Sequence, residues 1–315
     1  MQFKQLEGLI AAPFTPMNTD GSLKLSIIPQ YYKMLKENGV KGAFICGSTG
    51  EGVSMTTREK MLVTDAWAAA SRNDEEFKVM LLLGGTSMED CKALALHAQQ
   101  AGIYGISFTA PFYFKPAGIE QLTSMCEEIA SVTPDLPFYY YHIPVLTGVG
   151  FAMYDLLQAV DERIPNFAGI KYTHEDFMDF QSCMNFKAGK YDMLWGRDEN
   201  MLSALVLGAK GAVGSTFNYA PSLYLEMIEA FLQNDLDSAR QLQMKSINMI
   251  RLLGKYGGIA TGKAYMKLVG MDCGGFRLPV KNMGDQDFNA FREEARQQGF
   301  LEFCSRLPVG EQLEA

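Results

Sequence analysis

"FAGIKYT", residues 167–173, is an apolar run with one glycine, closed by a lysine one step after Ile170. Hydrophobicity that runs on without alternating is the pattern of a strand covered on both faces, as in a parallel sheet. Seven other runs share this character: 8–12 (GLIAA), 42–47 (GAFICG), 79–85 (VMLLLGG), 105–111 (GISFTAP), 138–144 (FYYYHIP), 192–198 (DMLWGRD) and 211–217 (GAVGSTF). Helical patterns fill the gaps, at 26–38, 57–72, 88–101, 119–132, 154–161, 176–188, 199–207 and 221–232. Eight strand–helix pairs in succession predict a (β/α)8 barrel. The rival is a doubly wound open sheet, and the GxGxxG fingerprint of its dinucleotide-binding form is missing after the first strand.

Local signals agree with a βα array. Thr56 and Glu59 form a T-x-x-E capping box before an apolar run. Pro221 suits the first turn of a helix, where its missing N–H costs little. Gly39-Val-Lys-Gly42, Gly102-Ile-Tyr-Gly105 and Gly208-Ala-Lys-Gly211 each stand between a helix and the next strand, so the first glycine can take the left-handed cap conformation. After residue 232 the strand signals fade. "LDSARQLQMKSINMIRLLGKYG" and "DFNAFREEARQQG" are helical, with "GIATGKAYMKLVG" between them. The expected organisation is an α/β TIM barrel over 1–232 that carries the active site, and a helical C-terminal domain over 233–315.

Composition narrows the function. The 315 residues carry 28 basic and 36 acidic side chains, a net charge of −8, which disfavours nucleic acid or an anionic membrane surface as partner. No segment reaches the roughly 18 uninterrupted apolar residues of a membrane span. "MQFKQLEGLIAAPFTP" lacks the long apolar core of a signal peptide, so a cytoplasmic location is expected. The six cysteines lie apart with no CxxC pair and read as reduced thiols. The three histidines, His97, His142 and His174, show no ligand spacing, so no metal is expected; His97 reads as an ordinary helix residue.

In a barrel, active sites gather where strands end. The loop "GSTGEG", 47–52, combines small residues with the hydroxyls of Ser48 and Thr49, and its backbone N–H groups can hold a carboxylate or phosphate. Read alone, it is also an ordinary small-residue turn. In "YYYHIP", alternation puts Tyr139 and Tyr141 on one face and Tyr140 on the other. Core packing is the default for such tyrosines, but Tyr141 precedes the loop and its hydroxyl can reach the mouth. Strands five and six are neighbours, so Tyr141 and Lys171 should face each other. A lysine desolvated there loses affinity for its proton, and its free amine can add to a ketone. Gly196, Asp198 and Glu199 of "WGRDE", with Thr173 and Ser215, line the same rim and suit a polyol. Asp198-Glu199 can equally be read as a helix N-terminus favoured by the macrodipole. An amine, a phenol and a carboxylate grip on one mouth suit carbon–carbon chemistry on a 2-oxo acid.

Taken in order, "LIAAPFTP", "GSTGE", "YHIP", "GIKYT", "WGRDE", "GSTFN" and "GGFRLP" resemble the class I pyruvate aldolases of the N-acetylneuraminate lyase and dihydrodipicolinate synthase family, over almost the whole chain. Ser48 before Thr49 is similar to the sialic acid-cleaving members, whereas the synthases typically show two threonines. Val145 and Leu146 stand where the synthases usually carry an arginine for a second substrate carboxylate. The resemblance implies a Schiff-base lysine at Lys171, a proton carrier at Tyr141 and a carboxylate grip at Ser48 and Thr49. It also implies sugar-tail contacts at Asp198, Glu199 and Ser215, and a homotetramer in which Tyr113 of "PFYF" reaches a neighbouring subunit's site. Small-molecule sugar acid and pyruvate are the implied partners, with no cofactor. Other readings are an aldolase for a different 2-keto-3-deoxy sugar acid, a dihydrodipicolinate synthase, or a non-catalytic sugar-acid binding protein. Two departures are His142, where asparagine is more common, and Arg197, a cation in the sugar-binding loop.

Overall fold

The computed structural model describes residues 3–308, and in it the eight predicted strands close into a barrel in chain order. They are β1 (Gly8–Ala11), β2 (Gly42–Ile45), β3 (Lys78–Gly84), β4 (Gly105–Thr109), β5 (Phe138–His142), β6 (Phe167–Tyr172), β7 (Asp192–Trp195) and β8 (Gly211–Gly214). Every neighbouring pair is parallel, and β8 returns to β1 with Gly8 opposite Gly211. The strands run one to three residues shorter at their C-terminal ends than the apolar runs suggest. The residues after them, such as Gly47, Thr173 and Gly196, leave the strands to build the mouth loops.

Between the strands lie α1 (Ile28–Glu37), α2 (Thr57–Ser71), α3 (Met88–Ala101), α4 (Ile119–Ala130), α5 (Pro144–Thr147), α6 (Met153–Val160), α7 (Phe177–Asn185) and α8 (Met201–Val206), and α9 (Pro221–Leu232) follows β8. The short α5 has no counterpart among the expected helices. At the expected helix 199–207, a 3-10 turn over Asp198–Asn200 comes first and α8 follows. The Thr56–Glu59 capping box forms with both its hydrogen bonds, and Pro221 opens α9. Gly39, Gly102 and Gly208 all adopt positive φ, at 82°, 73° and 98°, which an L side chain disfavours. Beyond the barrel come α10 (Leu236–Lys255), α11 (Ala260–Leu268), α12 (Asp285–Gln297) and the short α13 (Phe300–Phe303). Tyr265 of α11 stacks on Tyr219 after β8, with ring centroids 4.6 Å apart, so these helices share the barrel's outer apolar layer. None of the described helices is long and apolar enough to cross a membrane.

Two apolar layers result. The outer one, between strands and helices, takes Tyr140, Ile170, Tyr172 and Trp195; the inner one, inside the barrel, takes Tyr139, Tyr141, Phe44 and Leu194. Near its lower end the barrel is filled around Asp192, whose carboxylate accepts hydrogen bonds from the Leu6 N–H and the Tyr139 hydroxyl, both at 3.0 Å. A register shift between β5 and β6 matters for the site: Phe138 pairs with Phe167, but Tyr139 pairs with Gly169. Alternation alone would put Ala168 and Lys171, three residues apart, on opposite faces. With the extra residue in β6, Ala168 joins the inner layer and Lys171 still points inward.

Candidate active site

Lys171 lies directly opposite Tyr141 across the β5–β6 ladder. Its ammonium nitrogen sits 4.1 Å from the ring centres of both Tyr141 and Phe44, and the residue is 4% exposed. Burial strips water from the charged form and lowers its pKa from the usual lysine range to about 7; the nearby Asp198 carboxylate pulls the other way. Two ring faces offer a cation some attraction, but the net balance leaves much of the amine neutral near pH 7. A neutral amine is what addition to a carbonyl requires.

Burial has the opposite effect on Tyr141, raising its phenol to about 12, while the Ser48 and Thr173 hydroxyls pull it back. Its ring meets Phe44 edge to face, 5.6 Å centre to centre. A cavity of about 210 Å³ opens beside it, lined among others by Ser48, Thr109, Phe112 and Leu146. Thr49, next to Ser48, is buried in the turn that ends β2. His142, one residue beyond Tyr141, faces outward and packs its ring against Tyr172 and His174. Burial holds it neutral, with its pKa lowered to about 3, and the neighbouring His174 adds to that effect.

The rim is built from β7 and β8. Asp198 is buried, and its carboxylate accepts from the Thr216 N–H at 3.0 Å and the Thr216 hydroxyl at 2.6 Å. Burial raises its pKa to about 6 despite those bonds and the attraction of Lys171. Gly196 must be glycine, since a Cβ there would lie 1.9 Å from the Thr173 hydroxyl oxygen. That hydroxyl is buried close enough to the Tyr141 phenol to act on it, but makes no well-formed hydrogen bond among the described residues. Arg197 bridges two carboxylates, Glu175 at 2.7 Å and Glu199 at 3.1 Å. Ser215 is half-buried at the end of β8. Tyr113 stands apart from these groups, 78% exposed and packed edge to face on Phe114.

Sequence reasoning passed over Phe44, Thr216 and Glu175. Phe44 was findable in principle, because alternation along "GAFICG" puts it on the face that meets a neighbouring strand's inward lysine. Thr216 had only its place beside Ser215 to mark it. Nothing local marks Glu175, which reaches Arg197 from 22 positions away.

A parallel barrel that buries an amine of weakened basicity beside a phenol at its C-terminal mouth has the groups that addition to a carbonyl compound requires. The profile of the Dihydrodipicolinate synthetase family matches residues 5–298, and the chain belongs to that family. An N-acetylneuraminate lyase of Rattus norvegicus is 41% identical over 305 residues, covering 95% of both chains. The solved structure of a Proteus mirabilis N-acetylneuraminate lyase superposes with a TM-score of 0.91 at 37% identity, covering 94% of this chain and 100% of that one. That of a sialic acid aldolase from Aliivibrio salmonicida gives 0.91 at 35% identity, with 95% and 98% covered.

Proposed function

We propose that the chain is a class I aldolase, a carbon–carbon lyase that reversibly cleaves N-acetylneuraminate to N-acetylmannosamine and pyruvate. The observation that carries this reading is the buried Lys171 amine, its pKa lowered to about 7, paired across the ladder with Tyr141. The open-chain 2-keto group condenses with Lys171, losing water and leaving a cationic imine. The C4 hydroxyl gives up its proton through Tyr141, the C3–C4 bond breaks, and its electron pair moves into the imine to form an enamine. N-Acetylmannosamine leaves with a new aldehyde at the former C4. The enamine takes a proton at C3, and water then releases pyruvate and restores the amine. Tyr141 holds its proton in the resting site because burial raises its pKa to about 12. It gives that proton to the hydroxyl that leaves as water when the imine forms; the phenolate then takes the C4 hydroxyl proton, passes it to C3 of the enamine, and regains a proton from the water that frees pyruvate. The imine cation forming beside its ring favours the transient phenolate.

Ser48 and Thr49 hold the substrate carboxylate in this scheme. Thr173, Gly196, Asp198, Glu199 and Ser215 receive the sugar tail, and the reaction needs no metal or organic cofactor. The barrel over 1–232 carries the chemistry and 233–315 forms a helical domain against it. The cytoplasm is the expected compartment. The working form is a homotetramer in which Tyr113 reaches the site of a second copy. Supporting this, Phe112, Tyr113 and Phe114 after β4, and Val145 and Leu146 of α5, are all exposed and largely apolar where the chain leaves the mouth. Borohydride reduction in the presence of pyruvate, followed by peptide mass mapping, tests the chemistry: an adduct on Lys171 is expected, and its absence overturns the aldolase reading. Pyruvate release from other deoxy sugar acids but not from N-acetylneuraminate would overturn the substrate alone.

A further inference from the structure

The turn that holds Ser48 and Thr49 is folded against its own preferences. Cys46 and Glu51 both sit at positive φ, 57° and 58°, without being glycine. Gly52 closes the turn so tightly that a Cβ there would lie 1.8 Å from the Cys46 carbonyl oxygen. Its N–H bonds the Gly47 carbonyl at 3.1 Å, and the Gly50 carbonyl accepts from the Thr15 hydroxyl at 2.5 Å. Something outside the turn must over-determine such a conformation.

That partner comes from the helices beyond the barrel. The Glu51 carboxylate accepts from the Lys263 ammonium of α11 at 2.8 Å, and both side chains are 3% exposed. Its other oxygen accepts from the Arg277 N–H at 2.8 Å. Lys263 also donates to the Gly275 carbonyl at 2.7 Å and lies over the Phe276 ring. Arg277 then reaches back to Glu59 at 2.5 Å and to the Ser54 carbonyl at 2.9 Å, pinning the segment to the start of α2. A buried ion pair gives little net stability compared with apolar residues of similar size, so stability alone does not account for this one.

We infer that the Glu51–Lys263 pair is a positioning device for the reaction: the helices beyond the barrel use it to hold the Ser48–Thr49 turn in the shape that receives the carboxylate of pyruvate. Neither residue is expected to touch substrate. The inference rests on the aldolase reading above and adds a function for α11 that packing alone does not require.

The test is the double variant E51Q/K263M, which removes both charges and leaves no lone buried ion. E51Q alone serves as the second variant, since it leaves Lys263 its bond to Gly275 and its place over Phe276. K255M, which breaks the exposed Lys255–Glu294 pair elsewhere in the same region, is the control. In the condensation direction, either Glu51 variant should raise KM for pyruvate by about tenfold or more while kcat at saturating pyruvate stays within about threefold, the signature of lost ground-state binding. KM for N-acetylmannosamine should stay unchanged, as should every constant of K255M. A folded Glu51 variant with wild-type KM for pyruvate overturns the inference, and so does an equal loss in both substrates' KM. If borohydride fails to trap pyruvate on the wild-type chain, the aldolase reading itself has failed, a separate result.

Discussion

Lys171 and Asp198 form an electrostatic couple at the residue scale. Burial pushes the lysine down to about 7 and the aspartate up to about 6, and each charge partly restores the other. The free amine is the nucleophile, so trapping of pyruvate should quicken as pH rises toward 7 and level off above it. Asp198→Asn removes the anion that helps hold the ammonium, so Lys171 should lose its proton more easily still. Stopped-time borohydride trapping with pyruvate alone should therefore reach its plateau at lower pH in the variant. A plateau at unchanged or higher pH would show that Asp198 does not set the lysine's basicity. Arg197 is a different case. Its charge is shared between Glu175 and Glu199, so in this structure it acts on its neighbours' carboxylates before it acts on any ligand.

Among the elements, glycine marks two kinds of constraint that the sequence alone does not separate. Gly102 caps α3 at φ 73° with open space around it, so alanine there meets only backbone strain, about 1–2 kcal/mol. Gly169 in β6 has an ordinary strand conformation, but a Cβ would lie 2.0 Å from the Asp192 carbonyl oxygen of β7. Alanine there must push the paired strands β6 and β7 away from each other, a cost of about 1–3 kcal/mol or more. Urea denaturation should rank Gly169→Ala as the more damaging of the two, and only that variant should also lower the rate of trapping at Lys171, two residues on. The sequence showed eight strands and most helix limits, because burial on both faces and the capping residues are written locally. It could not show the shifted residue pairing between β5 and β6 that lets both Ala168 and Lys171 face inward. Such a shift is fixed by the neighbouring strand and leaves no pattern in its own residues. Tyr141 and Lys171 were legible because they share a strand position; the Glu51–Lys263 pair was not, since 212 positions separate its members.

At the scale of the whole molecule, exposed Phe112, Tyr113 and Phe114 form an apolar surface beside the mouth. If a second copy covers it, Phe114→Asp should place a charge in that interface. Sedimentation velocity should then show a smaller species than wild type, with activity falling in step; an unchanged sedimentation coefficient would remove this surface from the assembly. The helices beyond the barrel touch the rim at Glu51 through Lys263, and at the 3-10 turn through Gln243, whose amide donates to the Asp198 carbonyl at 3.2 Å. In the proposed binding mode, a change in how these helices sit would therefore be felt at both ends of the sugar acid. The interior around Asp192 carries a last consequence. Leu6, Tyr139 and the inner aliphatic residues are buried around Asp192 below Lys171, while the cavity beside Tyr141 opens at the mouth. In the proposed reaction the water that frees pyruvate has the mouth through which the sugar leaves as its open route. The order is then sugar out, water in, pyruvate out, because pyruvate stays bonded to Lys171 until that water arrives.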